Sequence, residues 1–399
     1  MAKWIQLACA GLLGVLGACR PFGSQSMPDS RFSTVDFTPD GGRILVDSYF
    51  SKQIYLYDLV AKDYVWRLPA RQIGGASFSP AGRFAVFVEQ NANDPTAQLS
   101  VIRLADGVKS AFARGLRTSR LISDRYFSEQ AVNLTAVSDD GAWVILAYGG
   151  APLEVYSTAN GRLLYQATTP DAVVVRVLIE PGNRRVAVLQ VTTKEANINI
   201  LEHENGQWRV TNTIAPKSIL LQAWTSGGLA LLTRRGIELW SGGEPRLVAP
   251  LVQGPDEYDV YAVDSVGTPC IFFSPDGAFA AASTYDRFDV FDLKTGAKIF
   301  SHSERDESMK SSDSGLLRAA AFTGRHLRGF LQTGNFVDVD LSIPQIVKTI
   351  SFGSRGHYSK NWFTDGSSWE SNYQSRFGPD GRYIDIYQGA SGHEIYPLP

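Results

Sequence analysis

Along this chain an apolar run repeatedly breaks at a turn built from Pro, Asp and Gly and resumes as a second apolar run. This recurrence constrains the fold more than any other feature. The best-formed copy is residues 270–302, where β runs are expected at 270–273, 278–284, 288–293 and 298–300. In Ser274-Pro275-Asp276-Gly277 the proline presets φ at the second turn position, and Asp and Gly tolerate the remaining angles, so the chain reverses. Lys294-Thr295-Gly296 makes the next reversal. The unit reads as a four-stranded antiparallel meander, too small to cover both faces of its own sheet, and so it needs copies beside it.

Those copies are present. Phe37-Thr38-Pro39-Asp40-Gly41, Phe78-Ser79-Pro80-Ala81-Gly82, Val137-Ser138-Asp139-Asp140-Gly141, Ile179-Glu180-Pro181-Gly182 and Phe377-Gly378-Pro379-Asp380-Gly381 each lead into two alternating strands. Fainter copies start near Trp224 and Phe322. Units of this length stack radially, so the expected fold class is all-β: a β-propeller of four-stranded antiparallel blades, eight by this count and seven if one faint copy is an insertion. The last unit has three clear strands, which predicts closure by a strand from the other terminus, near Phe32. Sixteen Tyr, 21 Phe and 37 Gly, without a sustained helical period, agree with an all-β chain.

The turn sequence resembles that of WD-like (PD-type) repeats in bacterial periplasmic propellers such as the Tol-associated one. The third-strand endings Tyr55-Leu56-Tyr57-Asp58-Leu59 and Val290-Phe291-Asp292-Leu293 resemble the WD-repeat ending, with Tyr57 and Phe291 at the tryptophan position. No Gly-His dipeptide precedes the first strands, so the buried histidine network of eukaryotic WD repeats is not carried over.

The first residues make a separate argument. A basic start at Lys3 and a short apolar run, 4–17, read as a secretory signal peptide over 1–18, too short to span a bilayer. Leu16-Gly17-Ala18-Cys19 resembles the lipobox of bacterial lipoproteins. That resemblance implies acylation at Cys19 and a membrane held through the lipid anchor. Residues 19–30 then form the lipidated N-terminus and a flexible tether, and 31–399 a single propeller domain. Arg20 in place of the aspartate that resembles an inner-membrane retention signal favours the outer membrane facing the periplasm, with the inner membrane or the cell surface as alternatives.

In a four-stranded meander the second-to-third and sheet-to-sheet connections share one rim. Nearly all excess length falls in that class: 89–98, 114–130, 249–269, 303–315 and 353–372. Long loops on a rigid scaffold are where binding residues concentrate. The candidate binding residues are Arg120, Arg125, Tyr126, Tyr258, Tyr261, Arg305, His357, Tyr358 and Trp362, of the types enriched at interface hot spots.

Chemistry is harder to find. A formal net charge of −2 argues against nucleic acid. Cys270 is the single cysteine beyond the first 19 residues, which leaves no intramolecular disulfide or CxxC pair for it and makes it a small apolar strand residue. The histidines at 203, 302, 326, 357 and 393 lack paired spacing, and neither GxSxG nor a P-loop occurs. No metal or other cofactor and no catalytic residue is therefore expected. The leading expectation is a non-enzymatic scaffold, monomeric outside its complex, that binds an envelope protein or surface glycan through the loop-rich face. The alternative is a lactonase- or glycan-lyase-like enzyme with its site at the central channel.

Overall fold

The structure is a computed structural model. It describes residues 25–26, 33–48, 51–70, 72–90, 96–117, 135–147, 152–167, 173–191, 196–204, 206–215, 221–233, 235–250, 271–283, 287–303, 317–331, 334–351, 375–387 and 393–398. These fold into eight four-stranded antiparallel sheets. Sheets 1 to 7 span 33–69, 72–117, 135–167, 173–214, 221–250, 271–303 and 317–351, each a meander in chain order. Sheet 8 is smaller: Ser375–Phe377, Tyr383–Tyr387 and His393–Pro397 are joined on the outer edge by Gln25–Ser26 from the other end of the chain.

Sheet 6 holds the best-formed repeat. Its strands are Ile271–Phe273, Phe279–Ser283, Arg287–Asp292 and Lys298–Ser303, close to the bounds expected from the turn chemistry. Cys270 lies outside the described residues. The ring closes through both termini, as the three-stranded last repeat implies, but at Gln25–Ser26 and not near Phe32, because Ser33–Phe37 is already the first strand of sheet 1. Part of the segment expected to be tether thus pairs with the sheet, with Gln25 opposite Ile395 and Ser26 opposite Glu394.

First strands of neighbouring sheets approach one another and form the inner wall. Each seam between sheets has its own buried cluster. Leu45, Ile54, Ala85 and Phe87 fill the seam of sheets 1 and 2, Ile145, Val155, Val186 and Val188 that of sheets 3 and 4, and Phe288, Val290, Leu317 and Val337 that of sheets 6 and 7. Alternation along the strand explains this: odd and even positions face opposite neighbours, so a strand such as Arg185–Val191 is apolar on both sides. The seam of sheets 7 and 8 is the thinnest, with Phe336, Ile384 and Leu398 as its buried apolar residues among those described.

The repeated turn letters each have a structural task. Ser274 Oγ accepts from Phe279 N at 2.8 Å and Asp276 Oδ1 accepts from Ala278 N at 3.0 Å, so both side chains close the turn. Gly277 adopts φ +68°, the left-handed region. At the third-strand endings Asp292 Oδ1 accepts from Lys294 N and Thr295 N, while Leu293 is buried and its N–H donates to Ala278 O at 2.8 Å. The WD-like ending is thus a capped turn plus a buried anchor that ties the two short turns of one sheet together.

Those short turns also meet their neighbours. Ala81 N donates to Asp139 Oδ1 at 2.5 Å, and Asp139 N donates to Asn183 Oδ1 at 2.8 Å. Ser226 Oγ donates to Asp276 O, and Thr323 Oγ1 to Asp380 O at 2.9 Å. One rim of the ring is therefore a belt of turn-to-turn contacts with little room for inserted residues.

Candidate functional site

The opposite rim carries the length. Fourth strands end at Arg117, Pro250, Ser303 and Ser351, and the next first strands begin at Thr135, Ile271, Leu317 and Ser375. Cys19 and all nine candidate binding residues, Arg120, Arg125, Tyr126, Tyr258, Tyr261, Arg305, His357, Tyr358 and Trp362, lie outside the described residues. What the described residues define on this rim is the platform of strand ends.

Carboxylates are embedded in that platform. Asp47 is the penultimate residue of the second strand of sheet 1, Arg43–Ser48, and Glu89 of that of sheet 2, Phe84–Gln90. Asp47 has the parity of Leu45, and Glu89 that of Ala85 and Phe87, all packed in the seam of sheets 1 and 2, so the two acids face one seam. Glu89 is 1% exposed. It accepts from Lys109 Nζ at 2.6 Å, Ser100 Oγ at 2.5 Å and Gln98 Nε2 at 2.9 Å. Burial works to raise its pKa, but these donors together outweigh it and hold the carboxyl below its ordinary range. No such donor to Asp47 stands among the described residues, and burial, then the Glu89 charge, pushes its pKa up to about 7.

Three other embedded acids are paired. Asp289 accepts from Ser301 Oγ at 2.6 Å and sits 3.6 Å from both Arg287 Nε and Lys298 Nζ. Glu238 accepts from Thr233 Oγ1 at 3.0 Å. Asp338 Oδ1 lies 2.9 Å from His326 Nδ1, whereas Asp340 caps a turn by accepting from Ser342 N at 2.7 Å. The alternating pairs Asp289/Asp292 and Asp338/Asp340 thus divide between seam and turn. His203 stacks on Trp208, and His302 lies beside Phe288 and Phe300.

The innermost strands are mainly apolar at their half-buried positions: Phe37, Phe78, Leu178, Phe272, Phe273 and Phe377. Polar exceptions are Asp36, Ser77 and Arg176. Thr135 Oγ1 donates to Ser77 Oγ at 3.2 Å. Arg176 Nε is buried with no acceptor among the described residues, and burial lowers the guanidinium pKa.

Three features escaped the sequence reading: the Asp47–Glu89 pair, and the amides Gln190 and Asn199 between sheets 3 and 4. All carry one readable signal, a polar residue at an inward position of an otherwise apolar alternation, as in Leu45-Val46-Asp47 or Val188-Leu189-Gln190.

No family model matches the sequence, and no curated protein does. Solved structures match over nearly the whole chain. The computationally designed Ika8 protein is 12% identical with a TM-score of 0.59, and the C-terminal WD40 domain of Sif2 is 10% identical with a TM-score of 0.59. BamB from Moraxella catarrhalis is 12% identical with a TM-score of 0.53. In all three cases 94% of this chain and 98% of the other are covered. At such identities the likeness speaks for the fold alone, and the chain is a β-propeller.

Proposed function

We propose that this chain is a non-enzymatic, lipid-anchored propeller of the bacterial cell envelope that binds another envelope protein or a surface glycan through its long-connection rim. The observation that carries this reading is the asymmetry of the ring. One rim is consumed by turn-to-turn hydrogen bonds such as Ala81–Asp139, and the other receives the connections 118–134, 251–270, 304–316 and 352–374. A regular scaffold with its long connections on one side suits recognition. The propeller neighbours, Sif2 and BamB among them, are compatible with a scaffold.

The anchor belongs to the same reading: signal peptide 1–18, acylation at Cys19, and an outer-membrane address facing the periplasm. Crosslinking the intact lipoprotein in its membrane, beside a version with 353–372 shortened, tests the rim. Loss of the captured partner in the shortened form is expected, and equal capture would overturn the choice of face. Cys19→Ser should move the protein out of the membrane fraction, and persistence there would refute acylation.

One observation favours the enzymatic alternative: a pair of acids driven apart in pKa, as in Asp47 and Glu89, suits acid–base chemistry. Both lie on second strands, one strand back from the inner wall, and Glu89 is already hydrogen-bonded to three side chains. The scaffold reading is the better supported.

A further inference from the structure

Strand direction in sheet 8 determines the rim from which the N-terminal side of the chain departs. The third strand, His393–Pro397, runs toward the short-turn rim, and Gln25–Ser26 pairs with it antiparallel. Gln25, opposite Ile395, is therefore nearer that rim than Ser26, opposite Glu394. The chain before Gln25 leaves on the short-turn side, from the outermost strand of its sheet. With six residues from Cys19 to Gln25, the link spans at most roughly 20 Å.

The turns between third and fourth strands lie at the same outer corner of the same rim. At sheets 7, 1 and 2 their tips are apolar and open to solvent: Ile343 is 55% exposed, Val60 67% and Val108 53%. These side chains take no part in closing the turns, which Asp340, Asp58 and Asp106 do by accepting from the backbone. Val347 and Val65, also exposed, carry the apolar character onto the fourth strands of sheets 7 and 1. At sheets 3 to 6 the corresponding tips carry Asn160, Gly206, Glu244 and Thr295 instead. Sheets 7, 8, 1 and 2 follow one another round the ring, each adjacent pair sharing a buried cluster. The apolar tips therefore flank, on both sides, the sheet from which the chain departs. The other large apolar residues exposed among those described, Leu163, Leu164 and Val210, lie on fourth strands of sheets 3 and 4.

We propose that the short-turn rim at sheets 7, 8, 1 and 2 rests on a lipid bilayer, with Val60, Val108 and Ile343 entering the headgroup boundary and the long-connection rim turned away from the membrane. The inference rests on the anchor at Cys19 proposed above and adds an orientation to it. A short link leaving from that corner keeps the corner close to whatever surface holds the lipid, and aliphatic side chains held there gain by leaving water. Each apolar tip has an exposed polar residue in the same turn, Lys62, Asp106 or Ser342. Single aliphatic tips among polar neighbours suit a fluid headgroup layer better than the close-packed centre of a protein interface.

The test places the intact lipoprotein on vesicles of phosphatidylethanolamine and phosphatidylglycerol alone. Single cysteines from Val60→Cys, Val108→Cys or Ile343→Cys, in a Cys270→Ala background, are probed with a membrane-impermeant maleimide. Lys52→Cys, in the second-to-third turn of sheet 1 on the opposite rim, and Thr295→Cys, at the tip of sheet 6, are the controls. Each reference rate comes from the same variant carrying Cys19→Ser, free in buffer. Labelling at 60, 108 and 343 should slow about tenfold on vesicles, as for a site covered nine-tenths of the time, with 52 and 295 unchanged. Vesicle-bound protein labelled at its reference rate at all five positions, or slowed as much at 52 or 295, would overturn the orientation and leave the anchor standing. Protein that fails to float with the vesicles would refute the anchor and this inference with it. Labelling at 60, 108 and 343 that already slows with rising concentration of the Cys19→Ser chain would assign the face to a second copy and overturn the proposal.

Discussion

Asp47 and Glu89 face the same seam from adjacent sheets, and their carboxyls titrate in opposite directions from their ordinary values. Lys109 Nζ, 2.6 Å from Glu89, favours one acid, and the charge it preserves there disfavours the other.

The pH dependence follows with a definite sign. The folded-state pKa of Asp47, about 7, lies above its unfolded value near 3.8, so between those values the folded chain holds more protons. Stability should fall as pH rises through that window, by at most about 1.4 kcal/mol per pH unit from this group. Glu89, with a depressed pKa, contributes the reverse: stability present above its unfolded pKa and lost as pH falls through its folded one. Thermal midpoints from pH 4 to 8 should show a flatter decline in Asp47→Asn than in the parent. An unchanged slope would remove Asp47 as the cause.

Lys109→Met should be among the more destabilising substitutions outside the apolar clusters. It strands a buried carboxylate, at a cost on the order of 3–5 kcal/mol for a broken buried pair. The Glu89 pKa should rise in consequence. Urea unfolding of the variant at pH 5 and pH 8 checks both, since the loss should be smaller at the lower pH, where the stranded acid can take up a proton.

Two glycines separate backbone strain from crowding. Gly206 has φ +78° and nothing within 4 Å of an added Cβ, whereas at Gly277, φ +68°, that atom would lie 2.7 Å from Thr225 Oγ1. Gly206→Ala should cost about 1 kcal/mol, the left-handed penalty alone, and Gly277→Ala about 2–3 kcal/mol. Equal losses in denaturant melts would show that the turn belt yields without resistance.

Removing residues 1–30 takes away the outer strand of sheet 8, which pairs with His393–Pro397. Of the amide hydrogens of Glu394 and Ile395, the one that points to the outer strand should exchange faster in that truncation than in one that removes 1–22. The same exchange in both would mean that Gln25–Ser26 contributes nothing to closure.

The architecture was legible because turn chemistry is local. Ser274, Asp276 and Gly277 act within a few residues of one another, and their spacing alone marks the ends of two strands. Closure was legible in kind but not in place: two residue pairs suffice for the outer strand, and Gln25 and Ser26 have no alternating pattern to reveal them. Asp47 and Gln190 looked like ordinary polar breaks in a strand, and only the packing of two sheets distant in sequence shows what each faces. The nine rim candidates rest on residue type and topology, because long connections follow no period from which a contact can be read.

The two-residue strand at Gln25–Ser26 joins the smallest sheet beside the thinnest seam, and it is also where the chain leaves the ring toward Cys19. With six residues from Cys19 to Gln25, an extended leash reaches roughly 20 Å. With the anchor proposed at Cys19, a pull on that leash would load sheet 8 before any other part of the ring, and the pairs Gln25–Ile395 and Ser26–Glu394 would be the clasp by which the bracelet hangs.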